Sequence, residues 1–137
     1  MLLATGIAPA SDAYFRDSIP YSEVFYNGIF LKRFYENQKD FNLRLNTRQL
    51  RSSDIITITY FEDVVNSDCN DNLQIRDKSG RLVKVIMIDE AIFNNQYQIE
   101  VKELFRLVSK YDSKELSFSV RYGQFTPQKF LFKLHLN

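Results

Sequence analysis

Residues 62–72 contain a dense cluster of acidic and amide side chains, which are potential metal ligands. Oxygen-rich loops can bind Ca²⁺, which takes about six to eight oxygen ligands. The spacing does not follow the Asp-x-Asp/Asn-x-Asp/Asn-Gly pattern of a calcium loop, and no glycine supplies its sharp turn. Asp, Asn and Ser also favour ordinary turns, so we expect a solvated loop and no Ca²⁺ site. The residues are Glu62, Asp63, Asn66, Asp68, Asn70, Asp71 and Asn72.

The single cysteine and the single histidine are the other side chains capable of nucleophilic or base chemistry. Cys69 is flanked by Asp68, Asn70 and Asp71, and acidic neighbours disfavour the reactive thiolate. His135 lies near the other end of the chain, on the polar face of a predicted strand. The sequence therefore predicts no Cys–His pair, and one of each residue is too few for a zinc site with Cys and His ligands.

Paired carboxylates could in principle perform acid–base catalysis. The candidate pairs are Asp89 with Glu90 and Glu100 with Glu103, and no pattern places either pair in a pocket. The four glycines are scattered, whereas phosphate-binding loops need clustered glycines before a helix. We predict no catalytic residue, no cofactor site and no metal site, and we expect a protein that is not an enzyme.

Composition indicates a folded domain of ordinary size. The chain has 137 residues, of which 45% are hydrophobic and 26% charged, and a net charge of +1. A nearly neutral chain has no strong field to attract nucleic acid, and no apolar run is long enough to span a membrane. Met1–Ala10 lacks the basic start of a signal peptide, since the first Lys or Arg is Arg16. We therefore expect a cytoplasmic or virion-associated protein.

The dominant hydrophobic period is two, which is typical of strands with one buried face. In the last predicted strand Phe130, Phe132, Leu134 and Leu136 alternate with Lys129, Leu131, Lys133 and His135. Similar patterns predict about seven strands, over 41–46, 54–61, 73–75, 82–88, 96–101, 115–122 and 129–136. The residues predicted for the core are Phe118, Val120, Phe130, Phe132, Leu134, Ile56, Ile58, Ile99 and Val101.

One segment has helical spacing instead. Leu104, Leu107 and Val108 predict a short helix over 102–110, between the fifth and sixth predicted strands. Seven short strands with a helical crossover at this point resemble an immunoglobulin-like β-sandwich over residues 41–137. The resemblance is one of topology, because the Cys…Trp…Cys signature is absent. It implies an all-β fold of two antiparallel sheets and selects no function.

Residues 1–40 differ from the remainder, and we interpret them as an N-terminal arm followed by an aromatic hairpin. Asn27-Gly28 between two apolar runs is a strong signal for a type I′ turn. A helix over 22–38 is the competing interpretation, although Gly28 would cost about 1 kcal/mol there relative to Ala. The domains predicted are thus 1–40, the extension, and 41–137, the β-sandwich.

The aromatic residues of this extension are the leading functional candidates. Large aromatic side chains dominate interface energetics, and a strand can complete a partner's sheet. We expect a non-catalytic structural or interaction module that binds other protein subunits, including its own copies, in an assembly such as a virion, a tail or a secretion apparatus. The rival is a ligand-binding or OB-like module for single-stranded nucleic acid or glycan. The predicted interface residues are Tyr14, Phe15, Tyr21, Phe25, Tyr26, Phe30, Phe34 and Tyr35.

Overall fold

The fold was analysed in a computed structural model that describes residues 19–62, 72–87, 96–121 and 128–137. Within these ranges the chain forms nine strands, one α-helix and one 3₁₀ turn. The seven strands predicted after residue 40 correspond to β3 to β9, which confirms the all-β fold class. The elements are β1 (Tyr21–Tyr26), β2 (Ile29–Tyr35), β3 (Asn42–Leu45), the 3₁₀ turn (Thr47–Gln49), β4 (Ile55–Phe61), β5 (Asn72–Arg76), β6 (Leu82–Met87), β7 (Gln96–Glu100), α1 (Val101–Tyr111), β8 (Glu115–Arg121) and β9 (Lys129–Leu136).

The strands form two sheets that pack face to face. One sheet has the order β2-β1-β4-β7, and the other has the order β3-β9-β8-β5-β6. Neighbouring strands run antiparallel except β3 and β9, which pair in parallel from Asn42 with Lys133 to Leu45 with Leu136. The expectation of two wholly antiparallel sheets is therefore wrong at this pair. No tight turn joins β3 to β9, because most of the sandwich separates them along the chain, and a parallel pair needs such a long connection.

The first two strands form the predicted hairpin and not a helix. Asn27 and Gly28 both have positive φ, at 49° and 82°, as a type I′ turn requires. β1 lies between β2 and β4, so the hairpin is an integral part of the four-stranded sheet. The division into two domains at residue 40 stays a prediction. Across that position β1 pairs with β4 in one sheet.

The core fills the space between the sheets with the inward-facing residues of both. All the predicted core residues are buried except Phe130. The phenylalanine rings of three strands form its centre, since Phe132 stacks on Phe34 and on Phe118 with centroids 5.0 and 4.8 Å away. These contacts join β2 of one sheet to β8 and β9 of the other.

Phe130 is 44% exposed, and its assignment to the core is wrong. In the pairing of β8 with β9, Phe118 faces Phe132 but Ser119 faces Phe130, so Leu131 is an extra residue in a β-bulge. A bulge changes the alternation of side chains across it. Leu131 therefore lies in the core, only 4% exposed, in place of its neighbour.

The single helix of the described ranges confirms the predicted crossover. It begins at Val101, which is buried together with Leu104 and Leu107, and it connects β7 of one sheet to β8 of the other. It ends at Asp112, whose φ of 49° and backbone hydrogen bond to the Val108 oxygen close the last turn. No helix in the described part of the chain has the length and apolar character needed to cross a bilayer.

Candidate functional site

An aromatic surface lies on the outer side of the four-stranded sheet, across β2, β1 and β4. Tyr21 on β1 is opposite Tyr35 on β2 and Phe61 on β4, and directly opposite residues share a face. The ring centroids are 5.8 Å apart for Tyr21 and Tyr35 and 5.2 Å apart for Tyr21 and Phe61. The result is a row of three rings across three adjacent strands, open to solvent.

An arginine lies over this row. The Arg33 guanidinium carbon is 4.3 Å from the centre of the Tyr21 ring and 5.7 Å from that of Tyr35. Arg33 donates to the Tyr35 hydroxyl at 3.0 Å and to Glu23 Oε2 at 2.9 and 2.7 Å. These hydrogen bonds, to Tyr35 first and then to Glu23, raise the pKa of Arg33. Because Glu23 balances it, the cation holds the rings in place without giving the surface a net charge.

The same surface continues toward the hairpin turn. Phe25 and Phe30 face each other across β1 and β2 with centroids 5.8 Å apart, in an edge-to-face arrangement. A bulge beside this pair leaves Leu31 as an extra residue of β2. Phe30 is 51% exposed. We call the six residues of this outer surface the aromatic face; they are Tyr21, Phe25, Phe30, Arg33, Tyr35 and Phe61.

The aromatic face borders an open strand edge. β2 is the outermost strand of its sheet among the described residues. An edge strand presents unpaired N–H and C=O groups that another strand can satisfy. The side chains at this edge are apolar as well, since Ile29, Phe30 and Leu31 are all exposed. Charged residues, which blunt many natural edges, are absent from these three positions.

The structure sorts the predicted interface residues into three groups. Tyr21, Phe25, Phe30 and Tyr35 belong to the aromatic face. Tyr26 turns the other way, packs against the core and donates to Asp54. Of the remaining three, Phe34 is buried in the core, and Tyr14 and Phe15 lie outside the described residues.

Two members of the aromatic face were missing from the predicted interface. Phe61 follows Thr57 and Thr59 at the outward phase of β4, so the alternation that predicts this strand also indicates its position. Arg33 has no such signal, since its role depends on rings that only the sheet register brings together.

A cleft opens between the two sheets at the end where β1 and β9 begin. Its volume is about 280 Å³. Ser22 on β1 is 1% exposed. Its cross-strand neighbours are Phe34 on β2 and Tyr60 on β4. Its Oγ atom has no hydrogen-bond partner among the described residues. We call this space the Ser22 cleft; its walls are Pro20, Tyr21, Ser22, Phe34, Tyr35, Glu36, Phe41, Tyr60, Lys129, Phe130 and Leu131.

The charged groups of the Ser22 cleft are linked to each other. Lys129 Nζ donates to Glu62 Oε1 at 2.5 Å and also hydrogen-bonds Tyr60. The bond to Glu62 raises the pKa of Lys129. Burial, reinforced by the charge of Glu62, raises the pKa of Tyr60 to about 12. The ammonium and the neutral phenol are thus fixed at one side of the cleft.

A second, more open groove of about 460 Å³ separates β6 from β7. Its charged side chains satisfy one another, because Glu103 accepts from Arg106 at 2.6 and 2.8 Å and pairs with Lys84 at 2.9 Å. The hydrogen bonds from Arg106, followed by that from Lys84, lower the pKa of Glu103 to about 2. We interpret this group as an ion-pair network that ties α1 to β6.

His135, the single histidine, contacts a neighbouring strand. His135 Nε2 lies 2.7 Å from Asn42 Oδ1 on the neighbouring strand. Within the described ranges, no three His, Cys, Asp or Glu residues are grouped to hold a metal ion. The candidates that lie outside those ranges are Asp63, Asn66, Asp68, Cys69, Asn70, Asp71, Asp89 and Glu90.

The fold and these surfaces define an all-β sandwich with one short helix, an aromatic outer face beside an open strand edge, and a small cleft. Comparisons of the chain with models of protein families, with curated proteins and with solved structures find no match.

Proposed function

We propose that this chain is a non-catalytic protein-interaction module that works as a subunit of a larger assembly, and that its aromatic face and the β2 edge form the contact surface. The observation that carries the proposal is the exposure of Phe30, Tyr35 and Phe61 on one side of a sheet whose edge strand begins with the exposed apolar residues Ile29, Phe30 and Leu31. Aromatic residues and arginine are enriched among the residues that dominate binding energy at protein interfaces.

The partner that we propose is a second copy of this chain, paired through β2. Two edge strands can join antiparallel about a two-fold axis, which makes a closed contact from one surface patch. Such a contact would cover Ile29 and Phe30 in both copies. The charges support it, since Glu23 already neutralises Arg33 within each copy, and like surfaces without net charge can meet without repulsion.

Backbone hydrogen exchange tests this contact directly. We expect amides of β2 that exchange rapidly at micromolar concentration to exchange more slowly at millimolar concentration, because strand pairing satisfies them. β6, an edge strand of the other sheet, is the internal control, and its exchange rates should not change. Equal exchange rates in β2 at both concentrations would contradict the proposed contact.

Single-stranded nucleic acid is the competing ligand that the aromatic face suggests, because bases stack on exposed rings beside cations. Two contacts argue against it. Arg33 is engaged by Glu23, and Lys32 donates to the Asn42 backbone oxygen at 3.1 Å. A labelled oligothymidylate should therefore show no salt-dependent binding. Binding that weakens with salt and with Arg33→Ala would favour this rival.

We also infer that the sandwich is immunoglobulin-like in its topology. When the strands after residue 40 are lettered in order, β9, β8 and β5 occupy the G, F and C positions of one sheet, β6 takes the C′ position, and β4 and β7 are adjacent as B and E. The helical crossover between β7 and β8 supports the same inference. The β1–β2 hairpin is the departure, because it occupies the side of β4 where the first strand of such a domain would pair.

A further inference from the structure

We propose that the Ser22 cleft is a binding site for a small, uncharged aromatic molecule of about two fused rings that forms a hydrogen bond with the Ser22 hydroxyl. This site is separate from the β2 edge, and the inference does not depend on the proposed subunit contact.

The buried hydroxyl is the first argument. Ser22 occupies an inward-facing position in an interior strand, where its neighbours across the sheet are Phe34 and Tyr60. Its Oγ atom is buried and has no partner among the described residues. A buried polar group without a hydrogen bond destabilises the folded state, whereas alanine would fit the same position without this cost. A ligand in the adjoining cleft would supply the missing partner once a small movement of the wall side chains opens the Oγ atom to the cleft.

The size and walls of the cleft are the second argument. An apolar cavity of about 150 Å³ accommodates benzene, so the roughly 280 Å³ of this cleft suits a molecule nearly twice that size. The walls include the rings of Phe34, Phe41 and Phe130. Phe41 and Phe130 are held edge-to-face, with centroids 5.5 Å apart. Flat aromatic molecules pack well against such rings.

The charges select an uncharged ligand. Lys129 is already paired with Glu62, and Glu36 adds a further carboxylate to the walls. An anionic ligand would therefore meet an excess of negative charge. The hydroxyls in the described walls are neutral, and that of Ser22 can either donate a hydrogen bond to the ligand or accept one from it.

The binding test uses the full chain and 2-naphthol as the probe. The chain has no tryptophan, so the fluorescence of the naphthol can be followed without interference from indole. We expect saturable binding that Ser22→Ala weakens by about 3- to 10-fold, the usual effect of one lost hydrogen bond. Ser119→Ala is the matched control, because this buried serine lies outside the cleft, and it should bind like the unsubstituted protein.

The thermal midpoint of the ligand-free protein provides a second measurement. Ser22→Ala should raise it, since the substitution removes an unsatisfied buried hydroxyl. Three results would each overturn the proposal: no saturable binding of 2-naphthol, equal binding by Ser22→Ala and the unsubstituted chain, or a thermal midpoint that Ser22→Ala leaves unchanged or lowers. The last would mean that the hydroxyl already has a partner in the free protein.

Discussion

The rings of Phe34 and Phe132 lie parallel across the two sheets, with 7° between their planes and 5.0 Å between their centroids. Phe34 belongs to the edge strand of one sheet, and Phe132 belongs to β9 of the other. The contact anchors the N-terminal hairpin in the common core. Removing residues 1–40 would therefore take Phe34 out of the core and β1 out of the interior of its sheet.

Phe132→Ala should lower the free energy of unfolding by about 3–5 kcal/mol, because it removes a buried ring that contacts both Phe34 and Phe118. Urea denaturation measures the change. Phe130→Ala is the matched control two residues away, and its exposed ring should contribute about 1 kcal/mol or less. Equal losses for the two variants would contradict the β9 bulge.

Gly28→Ala tests the hairpin through the sign of its effect. A Cβ at this position would meet no atom within 4 Å, so the positive φ of 82° is the only source of strain. We expect a loss of about 1–2 kcal/mol of stability, as for other residues forced into the left-handed region. In a helix the same substitution would instead stabilise by about 1 kcal/mol. A stabilised variant in chemical denaturation would therefore contradict the turn.

The pH dependence of stability should include a contribution from Glu103, whose pKa is lowered to about 2. Because its folded pKa lies below the unfolded value of about 4.3, the contribution is complete above that value and is lost as the pH falls toward 2. The pairs are partly exposed, so Glu103→Gln should cost only about 0.5–1 kcal/mol at neutral pH.

Denaturation of Glu103→Gln and of the unsubstituted protein across this pH range measures the difference. Glu100→Gln serves as the control, since its more exposed carboxylate is 3.8 Å from Lys102. A difference for Glu103→Gln that persists unchanged at pH 2 would show that the network does not lower the pKa of this carboxylate.

Most of the fold could be predicted from periodicity, because strands with one buried face leave a period of two in the sequence. The β9 bulge could not be predicted this way. The extra residue of the bulge moves Leu131 inward and Phe130 outward. Both residues are apolar, so the hydrophobic pattern of the sequence does not reveal the bulge. The parallel pairing of β3 with β9 was likewise hidden, since it depends on contacts between distant parts of the chain.

The candidate sites were predicted less completely. Aromatic content indicated that the hairpin carries the interface. It could not distinguish Phe34, which points inward, from Tyr35, which points outward, because either phase of β2 presents apolar residues. No pattern in the sequence distinguishes Ser22 from the other serines. Ser22 becomes a candidate binding residue because its hydroxyl is buried and has no hydrogen-bond partner among the described residues. Both properties arise only when the two sheets pack together.

The mass of the protein in solution, measured by light scattering, tests the proposed subunit contact most directly. We predict a concentration-dependent species of twice the chain mass, which Phe30→Asp reduces to the monomer by placing a charge in the contact. Met87→Asp is the matched control, because Met87 is equally exposed, at 51%, on the edge strand of the other sheet, and it should dimerise like the unsubstituted protein. A monomer at all concentrations, or a Phe30→Asp variant that dimerises unchanged, would contradict the account.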